Sequence, residues 1–179
     1  MQKTVSEQIW TWSRSPVSLL FILVVFGQFI FAYYAAVFYG GAAIAQDLTR
    51  WNQVLPNGYS PGAFWSNLAT GTHVLFAVIV LFFAPLQFVP QIRSKYKMFH
   101  HWNGRLFILS AMILSLGGIV MTWVFNTGGG SVLKHLASTL NALLILAFAG
   151  FGLRAAIARQ IPQHQVWMTR LFLAMGGVW

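Results

Sequence analysis

Residues 99–124 read FHHWNGRLFILSAMILSLGGIVMTWV. From 106 to 124 there is no charged side chain. At about 1.5 Å per helical residue, that run crosses most of a roughly 30 Å hydrocarbon core. The opening residues form a polar lip of two histidines, a tryptophan, an asparagine and an arginine. Tryptophan and arginine seat at the headgroup level, so this lip is where a helix leaves the bilayer.

Four other stretches share that character. Apolar runs cover residues 17–38, 67–90, 132–153 and 162–179. Only 7% of the 179 residues are charged and 58% are hydrophobic, where soluble domains carry about 25% charged residues. The expected fold is all-α: a polytopic membrane helical bundle of about five spans, with residues 1–179 as one domain. The first run is too long for the apolar region of a signal peptide and reads as an uncleaved helix. Pro162 suits the first turn of the last run. That run ends at Trp179, short for a crossing, so the native chain is expected to continue.

The longest loop, 39–66, holds the breakers Gly40-Gly41, Pro56-Asn57-Gly58 and Pro61-Gly62. Residues 42–55 read as a short amphipathic helix, with Trp51, Tyr59 and Trp65 as interfacial anchors. Asn126-Thr127 and three glycines make a tight connection, so spans three and four are antiparallel neighbours.

Charge sets the orientation. Lys3, Arg14, Arg93, Lys95, Lys97, Arg105, Arg154, Arg159 and Arg170 fall on one side, and only Arg50 and Lys134 on the other. The basic side is cytoplasmic by the positive-inside rule, and the amino terminus with it. Topology thus explains the net charge of +9, and nucleic acid is not a partner. The bilayer is.

Cysteine is absent, which excludes disulfides, iron–sulfur clusters, thiolate zinc sites and covalently attached haem. The two acidic residues, Glu7 and Asp47, lie outside the spans. A carboxylate proton relay is therefore excluded, and with no clear inverted repeat a transporter is disfavoured.

The histidines remain. His73, His100 with His101, His135 and His164 fall near the starts of spans two to five. Successive spans alternate in direction, so His73 and His135 approach one face, and His100/His101 and His164 the other. Facing imidazoles on opposed helices can clamp the iron of a b-type haem. Helix N-termini disfavour imidazolium and keep the rings able to ligate. The pattern supplies ligands for two haems, His73/His135 and His100/His164. The bland alternative is a set of interfacial polar caps.

Arg105 and Arg170 each follow a histidine within a few residues and sit in apolar segments. Haem propionates, a quinone-type ligand or lipid phosphate would pair with them, and snorkelling to the interface is the alternative. Gln28, Gln87 and Asn141 suit interhelical hydrogen bonds. Gly117-Gly118 and Gly150-x-Gly152 allow either close helix approach or room for a porphyrin.

Two motifs, His100-His101-Trp102-Asn103-Gly104-Arg105 and His164-Gln165-Val166-Trp167-Met168-Thr169-Arg170, resemble the H-x-W-x-G-R and H-x-x-W-M-x-R signatures of a bacterial membrane family catalogued as domain of unknown function 2306. The resemblance covers about residues 70–179. It implies a multi-pass protein of the bacterial cytoplasmic membrane and little assigned chemistry. The histidine layout is also similar to that of cytochrome b561, where spans two and four hold one haem and spans three and five the other. That likeness implies transmembrane electron transfer by a haem-dependent oxidoreductase, with a quinol or another small reductant as donor. The competing expectation is an accessory or structural subunit of a larger membrane complex, binding lipid, quinone or pigment without a redox centre of its own.

Overall fold

In the computed structural model, residues 16–176 are described. Lys3, Glu7, Arg14 and the last three residues of the expected fifth span lie outside them. Among the described residues, four helices are long and apolar enough to cross a membrane.

The first is α1 (Pro16–Ile44). It runs six residues beyond the expected end at 38 and through Gly40-Gly41. A tertiary contact overrides the breakers. The Trp51 indole Nε1 donates to the Tyr39 carbonyl at 3.2 Å, and the two rings meet edge to face at 5.7 Å. The chain then turns at Gln46, where φ is 55°. Only a short 3-10 turn (Leu48–Gln53) replaces the expected amphipathic helix. Trp51 is buried rather than interfacial; a Cβ on Gly71 would touch its ring at 3.5 Å. Trp65 is 71% exposed, as an anchor should be.

Side-chain amides tie the rest of this loop down. Asn52 bonds both backbone groups of Tyr59, and Asn67 both of Ser60. The Gly128 N–H donates to the Pro56 carbonyl at 2.6 Å, stitching the loop to the connection between spans three and four.

Helix α2 (Phe64–Phe83) stops at Pro85. A 3-10 turn (Pro85–Phe88) and a short helix α3 (Pro90–Lys95) lead into α4 (Lys97–Trp123). Two prolines remove backbone donors here, so the end of α2 carries carbonyls with no helical partner. Asn103 of α4 supplies one, donating Nδ2 to the Phe83 carbonyl at 2.9 Å. Gln87 donates Nε2 to the His100 carbonyl at 3.2 Å. Gly104 leaves space for that glutamine, whose Oε1 would lie 3.5 Å from a Cβ there. Part of the first motif thus sews α2 to α4.

Gly128, Gly129 and Gly130 all adopt positive φ in the next turn. Ser131 caps α5 (Val132–Ile157), and a tight turn through Arg159 leads to α6 (Ile161–Gly176), which has 16 described residues. Neighbours in sequence pack as antiparallel pairs: α1 on α2, α2 on α4, α4 on α5, α5 on α6. Phe172 closes the ring, 4.7 Å from Phe88 and 6.1 Å from Phe21 of α1 (centroid distances). The core inside joins Val80, Phe107, Ala111, Ile145, Leu171 and Phe172. The outward apolar residues, including Leu20, Phe26, Leu109 and Leu140, are exposed and meet lipid. The chain is a multi-pass helical membrane protein.

Candidate functional site

The basic face holds Arg93, Lys95, Lys97, Arg105, Arg154, Arg159 and Arg170 among the described residues, against Arg50 and Lys134 on the other. The only described carboxylate, Asp47, lies on that other face and accepts a hydrogen bond from Thr49. The basic end is therefore a cationic surface without acidic partners among the described residues.

His164 sits in the first turn of α6. Its Nδ1 lies 2.8 Å from the Gly152 carbonyl of α5. A carbonyl can only accept, so Nδ1 carries the proton, and in the neutral ring Nε2 keeps its lone pair. This is the arrangement by which a backbone carbonyl fixes tautomer and orientation in a metal-ligating histidine. Gly152 makes it feasible: a Cβ there would lie 2.8 Å from Met168 Sδ and 3.6 Å from Trp167 Cβ. Gly150, two residues away, has nothing within 4 Å of its Cβ position. Of the pair, Gly152 is the one at the close approach. Gly152→Val is expected to push α6 from α5 and lower stability in detergent by about 1–3 kcal/mol. Gly150→Ala should stay within about 0.5 kcal/mol of the parent in the same thermal unfolding assay.

His100 and His101 separate by burial. His101 is exposed; His100 is half-buried, with a buried Nδ1 that has no partner. Their ring centroids are 6.1 Å apart. Of this adjacent pair, His100 is the inward ring and His101 the outward one.

Arg105 and Arg170 are exposed, each over the tryptophan one turn earlier: Arg105 is 4.9 Å from the Trp102 centroid, and Arg170 is 4.6 Å from Trp167. Helical side chains lean toward the N-terminus, so both guanidiniums reach back to the basic interface. The W-x-x-R spacing common to both motifs is what builds these cation–π pairs.

His73 and His135 are not brought together. His73 lies against α4 at Gly118, whose Cβ position is 3.6 Å from the ring. His135 meets α4 at Trp123, edge to face at 5.4 Å. Five residues turn a helix by roughly 500°, so these contacts lie about 140° apart around α4. The His73 Nδ1 and the His135 Nε2 are buried without partners. Among the described residues no group of three or more histidine or acidic side chains forms a metal cluster.

A cavity of about 280 Å³ lies beside His73, between α2 and α4, with Trp65, Thr72, Gly117 and Phe125 in its lining. Nothing in the sequence marks it beyond the glycine pair. The close approach at Gly152 is one of the two expectations for Gly150-x-Gly152, whereas the bond of Asn103 had only the proline pair before the first motif as a signal.

A family described as a predicted membrane protein (DUF2306) matches residues 70–178. No curated protein and no solved structure matches the chain.

Proposed function

We propose for this chain, which belongs to the DUF2306 family of predicted membrane proteins, a role in electron transfer through one b-type haem held at its basic end by His164 and His100. The reading places the protein in the bacterial cytoplasmic membrane, basic face inward. One observation carries it: the bond from the His164 Nδ1 to the Gly152 carbonyl, which leaves Nε2 unprotonated in the neutral ring.

The donor set at this end supports the reading. His100, on the helix that opens at the same basic end, offers a second imidazole with an unpartnered nitrogen. Haem propionates would meet a cationic end, where Arg93, Arg105 and Arg170 have no acidic partner among the described residues. Phe107 and Leu171, both almost fully buried, keep water from the interior below the histidines. Gly152 fixes the His164 ring by its carbonyl. Haem held there would supply reversible one-electron transfer.

A second haem between His73 and His135 lacks this support: the two rings meet α4 at different residues, Gly118 and Trp123. The proposal is therefore one haem per chain.

The test is a reduced-minus-oxidised spectrum of the purified protein with haem counted against chain. The expected result is a Soret and an α-band from one b-type haem per chain. A colourless, iron-free and folded protein overturns the reading. If that colourless protein leaves the membrane in a stable stoichiometric assembly, an accessory subunit becomes the better description.

A further inference from the structure

We infer that the cavity between α2 and α4 binds the head group of a lipid-soluble quinone, with His73 as its hydrogen-bonding partner. The site is separate from the His100–His164 end and does not rest on it.

Position says where the occupant comes from. Leu68 and Val120 flank the cavity, 47% and 43% exposed, on helices that cross the membrane. The mouth therefore faces the bilayer, and whatever enters is lipid-soluble.

Polarity says what its head must be. The lining holds no lysine, arginine or carboxylate. A phosphate or fatty-acid head would be buried there as an unpaired charge, at a cost of several kcal/mol. The head must be neutral. It must also be polar, because His73 lines the cavity; its Nδ1 is buried away from the open space, which leaves Nε2 as the ring nitrogen for an occupant to meet. A neutral imidazole donates through one nitrogen and accepts through the other, so it can meet a ring carbonyl or its reduced hydroxyl. The Thr72 hydroxyl stands one residue away on the same wall.

Size narrows the class further. An apolar cavity of about 150 Å³ accommodates benzene. At about 280 Å³ the present one has room for a single substituted six-membered ring and too little for a porphyrin. Phe125 and Trp65 supply aromatic surface for a flat ring. A Cβ built on Gly117 meets nothing within 4 Å, while one on Gly118 meets the His73 ring. Gly117 thus keeps the space open and Gly118 seats the histidine.

The experiment titrates detergent-purified full chain with decylubiquinone by equilibrium dialysis. The wild type is expected to show saturable binding of one molecule per chain. Gly117→Leu fills the cavity without touching His73 and should weaken binding at least tenfold. His73→Leu should do the same, whereas His73→Gln, which restores a donor and an acceptor, should stay within about threefold of the parent. His164→Leu should leave binding unchanged, so failure here and failure of the haem site are separable. Should Gly117→Leu melt early, Gly117→Val carries the same test. Uptake that never saturates, or an unchanged affinity in the cavity-filling and His73→Leu variants, would overturn the inference. So would native mass spectrometry showing a phospholipid retained equally by the parent and by His73→Leu.

Discussion

His164→Leu is expected to remove essentially all haem from the purified protein, and His100→Leu to do the same. His73→Leu and His135→Leu should each keep the parent haem-to-chain ratio in a pyridine haemochrome assay. Leucine suits the apolar setting, so the substitution removes the ligand while keeping most of the packing. The lost hydrogen bond to Gly152 costs only about 1 kcal/mol, which a four-pair helix bundle absorbs. Gly152→Val provides a graded companion. It keeps both imidazoles but disturbs the carbonyl that orients one of them, and the loss of such an outer partner weakens metal sites by about 10–100-fold. Haem lost from the His73 and His135 variants but retained without His164 would place the centre at the wrong end of the bundle.

Phe107→Ala should produce the largest loss of stability. Phe107 is 2% exposed and sits in the core cluster with Ile145 of α5, Leu171 of α6 and Val80 of α2. It is thus common to four helices. In a bilayer the solvent around the helices is as apolar as leucine, so the hydrophobic transfer term that dominates in water largely drops out. The cost of the empty volume and lost packing remains, worth about 2–3 kcal/mol for a phenyl ring. Leu109 is 54% exposed to lipid on the same helix, and Leu109→Ala should cost under about 0.5 kcal/mol. Thermal unfolding of both variants in one detergent checks the contrast. Equal effects would mean that α4 does not pack inward through Phe107.

The membrane class and the helix order were legible because they depend on composition and run length alone. Where α1 ends was not, since Trp51 must reach back to Tyr39 before Gly40-Gly41 can stay helical. That contact joins two elements across a turn and leaves no periodic trace. The interruption after α2 could be read from Pro85 and Pro90, but its repair by Asn103 needs the third dimension. The histidines show the same division. Their expected sidedness follows from counting spans. Which rings share a neighbourhood depends on rotation about each helix axis, and near-uniform apolarity around a lipid-facing helix erases that signal. His73 and His135 therefore meet α4 at residues on different sides of it, Gly118 and Trp123. Arg105 and Arg170 were similarly placed in depth but not in direction; each folds over a tryptophan instead of pointing into the bundle.

The proposal rests on one histidine pair, His100 and His164, which would hold the haem at the basic end of the bundle. Low-temperature electron paramagnetic resonance of the oxidised protein reads that pair directly. Two imidazoles on one iron give a low-spin ferric signal, expected at one spin per chain and lost in His164→Leu. A high-spin signal, non-haem iron alone, or a low-spin signal that survives in His164→Leu would contradict it.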